Sequence, residues 1–199
     1  MRPIHKHISA LLFIFCILVI GQSKSFGQGF RGGVVLGLNA SQIDGDTLYG
    51  FNKAGLTVGG RLSYYTEKSW DICLEMLYSQ RGSAIKLFTQ NDNWINALNY
   101  LEIPIVFRLK DWYIEKEDYH KVRADAGLSY GYLFGVKSPV FGEELFKKND
   151  ISWLLGLGIN FTKHIGASLR YTSSLGKVVN TETTKFHSYF LTLRTEYTF

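Results

Sequence analysis

Two cysteines, Cys16 and Cys73, are all that the 199 residues contain. Cys16 falls in a leading apolar run that is expected to be removed, so the remaining chain holds one thiol and no intramolecular disulfide. Its stability has to come from packing and backbone pairing. Amphipathic helical spacing is also scarce, and alternation with a period of two takes its place. Past the leading run, no stretch reaches the roughly 20 apolar residues of a transmembrane helix. Lysine/arginine clusters suited to nucleic acid are absent as well. The formal charge of +5 includes Arg2, Lys6 and Lys24. Without them 19 basic residues stand against 17 acidic ones, a net +2. These absences exclude a disulfide scaffold, a helical membrane protein and a nucleic-acid binder.

What is present begins with an export signal. Arg2 and Lys6 make a positive start, Ile8 to Ile20 is apolar apart from Ser9, and Ser25-Phe26-Gly27 places small residues at −3 and −1 of a cleavage site. Cys16 lacks the small residues that precede a lipoprotein cysteine. Residues 1–27 are therefore read as a cleaved signal peptide and 28–199 as one domain of about 172 residues.

Eight alternating segments follow, near 30–40, 53–66, 68–80, 95–110, 120–136, 150–162, 164–174 and 187–199. Connections after the first, third, fifth and seventh are long and polar. Those after the second and sixth, at Thr66–Ser69 and Lys163-His164, are tight, and "DWYIEKEDY" after the fourth is intermediate. Long loops at one end and short turns at the other predict a closed, eight-stranded, antiparallel up-and-down barrel.

Period two does not say which face is inside, since a soluble lipocalin-type barrel shares it. Three features favour a membrane barrel with a polar interior. Arg61, Asp71, Glu75, Glu102, Arg108, Arg123, Asp125, Arg170, Arg194 and Glu196 all have the parity opposite to the apolar set of their strand. Arginine rather than lysine on such a face suits a lumen, because the guanidinium fork pairs bidentately with carboxylates. Gly59, Gly127, Gly131, Gly156 and Gly158 share that face and leave room for long side chains. On the apolar face, Tyr64, Trp70, Phe107, Phe161 and Phe199 fall at one rim, and Tyr78, Tyr132, Phe134, Trp153, Tyr171 and Tyr189 at the other. Aliphatics lie between them, which is the sorting a bilayer selects. Finally, "SYFLTLRTEYTF" alternates to Phe199, the pattern that outer-membrane barrels present to the barrel assembly machinery. In "LNYLEIPIVFRLK", Glu102 and Pro104 share the lumen face, and Pro104, lacking an N–H, predicts a bulge or local break.

Several stretches, "GLNASQIDGDTLYGFNKAG", "LEMLYSQRGS", "LNYLEIPIVFR", "GLSYGYLFGVKSP" and "FLTLRTEYTF", together resemble the small outer-membrane β-barrels of Bacteroidetes-type bacteria that include the PorT-like proteins. The resemblance covers the mature chain in order. It implies an eight-stranded barrel embedded in outer-membrane lipid, and a role in protein secretion is attached to PorT itself. It transfers no catalytic residue.

No cofactor or metal is expected. Asp44-Gly45-Asp46 offers oxygens for Ca²⁺, but Leu48 and Gly50 do not continue the donor series, so a turn is the better reading. His187-Ser188 invites a hydrolase, yet adjacent strand residues point to opposite faces. Cys73 has no histidine near it in sequence. Eight strands enclose only enough space for side chains to fill, which favours a plugged lumen over an ion path. Outer loops carry Phe88, Trp94, Phe141 and Phe146, candidate contacts for an envelope or secretion protein. The expectation is a non-enzymatic envelope protein; a barrel enzyme on lipid or peptide, a conducting pore and a soluble lipocalin-like carrier are the alternatives. N-terminal sequencing of the exported protein is expected to start at Gln28, and a mature chain retaining Cys16 would contradict the leader.

Overall fold

The computed structural model describes residues 29–44, 51, 53–66, 69–84, 95–138, 146–176 and 187–199. It contains eight strands: β1 (Phe30–Asp44), β2 (Lys53–Tyr65), β3 (Trp70–Ala84), β4 (Ile95–Ile114), β5 (Tyr119–Lys137), β6 (Asn149–Asn160), β7 (Ile165–Ser174) and β8 (His187–Thr198). Each pairs antiparallel with the next, and β1 pairs with β8 from Gly33↔Thr198 to Asp44↔His187, closing the barrel. Among the described residues there is no helix.

The alternation of the sequence becomes an alternation of inside and outside. Along β3, Asp71, Cys73, Glu75, Leu77 and Ser79 are buried while Ile72, Leu74 and Met76 are exposed. Leu157, Leu169, Leu193, Leu38 and Leu56 are register partners in turn, so one leucine row crosses β6, β7, β8, β1 and β2 on the outer wall. Leu157 at its end is 72% exposed. Aromatic pairs flank this belt: Phe30 with Tyr64 and Trp70 with Phe107 at the short-turn end, and Trp153 with Tyr171, Tyr171 with Tyr189 and Tyr78 with Phe134 toward the long-loop end. An apolar wall around a charged interior is the reverse of a lipocalin.

Strand lengths differ from the expected pattern, while at Pro104 the expected local break is found. β3 continues to Ala84, and β4 and β5 continue to a turn at 115–118, so most of "DWYIEKEDY" is ladder rather than loop. Trp112 and Asp118 take left-handed φ angles of 57° and 54° there, and Asp111 Oδ1 accepts a hydrogen bond from the Trp112 N–H at 2.7 Å. At Pro104 the ladder lapses without a bulge. Pairing with β3 skips from Leu74↔Ile105 to Leu77↔Glu102 in unchanged register, while Pro104 still faces Ser129 of β5. The missing N–H removes the bond on one side only. A register shift lies instead between Asn99 and Tyr100, where Phe134 of β5 is the extra residue.

Leu169→Arg, at the centre of the leucine row, is expected to cost about 2–4 kcal/mol in phospholipid vesicles. Urea titration of the vesicle-embedded barrel measures it, and an unchanged midpoint would put this wall in water.

Candidate functional site

Among the described residues, thirteen charged side chains are buried inside the barrel, seven cationic and six acidic. They group by height because each strand delivers its inward residues at fixed 2-residue steps. Toward the long loops, Arg81 of β3 places Nη2 at 2.8 Å from Glu102 of β4 and Nη1 at 2.7 Å from Asp150 of β6. Its guanidinium lies between the rings of Tyr100 and Phe190, 4.5 and 4.4 Å from their centroids. Gly131 makes this possible, since a Cβ there would meet the Tyr100 ring at 3.2 Å.

At mid-height Glu75, 1% exposed, accepts hydrogen bonds from Arg170 of β7 at 2.8 and 3.3 Å and from Arg194 of β8 at 2.8 Å. These bonds run from β3 across the lumen to the opposite wall. A small apolar cluster of Cys73, Val106 and Leu154 fills part of the same space, and the Ser63 hydroxyl donates to the Cys73 thiol at 3.3 Å.

Lower down, Arg108 holds Asp125 bidentately at 2.8 and 3.0 Å. Glu196 takes three guanidiniums: Arg61, Arg108 at 3.3 Å and Arg123 at 2.9 Å. Longer contacts of 3.5 Å, Arg170 to Asp125 and Arg194 to Glu196, join the middle and lower groups. Five guanidiniums thus share three carboxylates. At the short-turn rim, Lys110 pairs with Asp71 at 2.7 Å.

The ten charged residues read from the sequence are all buried within the barrel, but not all of them pair within that set. Glu102 is held by Arg81 and Asp71 by Lys110, two cations outside that set, and Asp150 is the third residue it omitted. The signal for all three was the parity: 81 continues 71–79, 110 continues 102–108, and 150 precedes 152–158. Arg81 lies just past the expected end of the third segment at residue 80, whereas β3 runs on to Ala84. Phe199 is exposed, stacks edge-on against Tyr197 and donates its N–H to Gly32 O at 2.9 Å. Phe146, expected as an exposed loop contact, is instead buried. It is only 6% exposed, so a ring that would cost free energy in water is turned away from it. Phe88, Trp94, Phe141 and the Gly45-Asp46 part of the acidic turn lie outside the described residues.

Ser188 is buried while His187 is half-buried, as opposite strand faces require. Among the described residues no group of three or more His, Cys, Asp or Glu side chains could hold a metal ion. Where the lumen opens at the short-turn end there is a cavity of about 730 Å³, walled by Arg31, Arg61, Arg123, His120, Lys163 and Glu196 among others.

The family described as outer membrane protein beta-barrel domain matches residues 21–180, which take in β1 through β7. Solved structures with a similar course include Ail of Yersinia pestis, at 14% identity, covering 86% of this chain and 99% of that one with a TM-score of 0.49. Neisserial surface protein A shows 11% identity, 86% and 97% coverage and a TM-score of 0.48. OprG of Pseudomonas aeruginosa shows 12%, 85% and 94%, and 0.41. No curated protein matches the sequence.

Glu75→Gln leaves Arg170 and Arg194 facing each other without their carboxylate. A loss of about 3–5 kcal/mol is expected in urea titration of the vesicle-embedded barrel. A loss below about 1 kcal/mol would mean the bridges across the lumen are incidental.

Proposed function

Because the chain belongs to the outer membrane protein beta-barrel domain family, an outer-membrane barrel, we propose that it is a non-enzymatic envelope protein of PorT-like kind whose lumen is closed by its own side chains. The observation that carries this is the bridge from Glu75 on β3 to Arg170 and Arg194 on the far wall, with Arg81, Glu102 and Asp150 above it. An ion moving along the axis would have to displace paired, desolvated charges at two heights, which is costly.

A leader ending at Gly27 delivers the chain to the envelope. The short-turn end, where both Phe30 and Phe199 lie, faces the periplasm, and the long loops face outward. The exposed Phe199 ring is the part offered to the barrel assembly machinery. With the lumen closed, function falls to the loops, whose residues 85–94 and 139–145 engage an envelope or secretion protein. A catalytic reading has less support, since His187 and Ser188 point to opposite faces.

The test has two parts. In membrane fractions the protein should appear with the outer membrane and migrate differently in unboiled and boiled samples. In planar bilayers it should give no steady current steps, whereas Glu75→Gln combined with Glu102→Gln should admit transient ones. Steady conductance by the unaltered protein would overturn the closed lumen, and a soluble, unshifted protein would overturn the location.

A further inference from the structure

The cavity at the short-turn mouth is not accounted for by a closed lumen. Its size, about 730 Å³, lies within the usual range of small-molecule sites, roughly 300–1,000 Å³. Its charge is one-sided: six of its lining residues are lysine or arginine, and two, Asp118 and Glu196, are acidic. Arg108 and Lys110 are neutralised from behind by Asp125 and Asp71. Arg61 and Arg123 are left to share Glu196, which Arg108 also touches.

Arg123 is the informative residue. It is 5% exposed, and it sits in a recess built for it. A Cβ on Gly158 would lie 2.7 Å from its Nε, and one on Gly166 would lie 2.7 Å from its Nη1. Only Nη1 has a hydrogen-bond acceptor, Asn160 Oδ1. Nη2 is within ion-pair distance of Glu196 but is not aligned with it, and both Nη2 and Nε are without a hydrogen-bond partner. Arg61 Nε is unpartnered too. Buried guanidinium donors left unmet are costly, and the two side chains that carry them are among those lining the open cavity and belong to the connected group of five guanidiniums and three carboxylates. That group carries two positive charges in excess.

We propose that this mouth binds a phosphate-bearing anion. Guanidinium forks match phosphate oxygens in number and geometry. A phosphate group also presents more acceptor oxygens than a carboxylate, and its negative charge offsets the excess in part or in full. Lys163 and Arg31 at the rim extend the same field toward solvent and draw the anion in. The phosphate belongs either to a free anion or to the headgroup of an acidic phospholipid in the adjoining leaflet. The geometry of the site is independent of how the barrel is inserted; its periplasmic address rests on the orientation proposed above.

The experiment uses the full mature barrel in maltoside micelles, free of phosphate buffer, at about 0.15 M salt. Sodium pyrophosphate is titrated in by calorimetry, and in a second arm phosphatidylglycerol is added to the micelles and its retention is measured by native mass spectrometry. Saturation near one per barrel is expected in at least one arm. Pyrophosphate alone would identify a free anion, and phosphatidylglycerol alone a headgroup. Arg123→Gln should weaken the binding roughly tenfold. Lys163→Glu, an exposed change that leaves folding intact, should weaken it about threefold. Where Arg123→Gln loses its gel shift and so does not fold, Lys163→Glu carries the comparison. Saturation in neither arm, or equal binding by the folded variants, would overturn the site.

Discussion

Closure of the backbone ladder between β1 and β8 is the constraint on which the rest depends. In hydrocarbon an unpaired N–H or C=O finds no water, so a sheet with edges is excluded and a ring of strands is accepted. Closure then creates two surfaces that never meet. The outer one is solvated by lipid and takes the leucine row with its aromatic borders. The inner one can hold charge only if the charges satisfy one another, because eight strands leave little room for water between them.

This division explains why the interior uses arginine almost exclusively. A guanidinium has five donors spread over a plane, so one side chain can hold carboxylates from two other strands, as Arg81 does with Glu102 and Asp150. Among the described residues lysine occurs once in the buried charges, at Lys110, close to the rim where a Thr66 carbonyl and the Tyr65 ring supplement Asp71. The bridges are weak evidence for stability as such, since desolvation offsets much of their attraction. They join walls that the closed ladder has already placed opposite each other, and so occupy the lumen.

The two ends of the barrel differ in how well this balance closes. Toward the long loops, one guanidinium serves two carboxylates, and Asp150 has two serine hydroxyls in addition, from Ser152 and Ser174. Toward the short turns, guanidiniums outnumber carboxylates, and Arg61, Arg108 and Arg123 share Glu196 beside an open cavity. A polarity of this kind along the axis is a property of the whole ring; no pair of neighbouring strands has it.

Strand number, the inward or outward face of each residue and the lipid-facing belt were legible in the sequence, because a period of two is local and survives without knowledge of partners. Even the omitted charges Arg81, Lys110 and Asp150 carried the right parity; they were lost at strand ends, where loop-like composition masks continued pairing. The lapse beside Pro104 was legible from its missing N–H, but the side on which it falls was not. Which carboxylate each arginine takes was decided only in the tertiary structure. Register and shear bring Glu75 opposite Arg170 and Arg194, residues 95 and 119 positions away, and gather three guanidiniums on Glu196. Parity assigns a side chain to a face, whereas only the closed ring assigns it a height and an opposite wall.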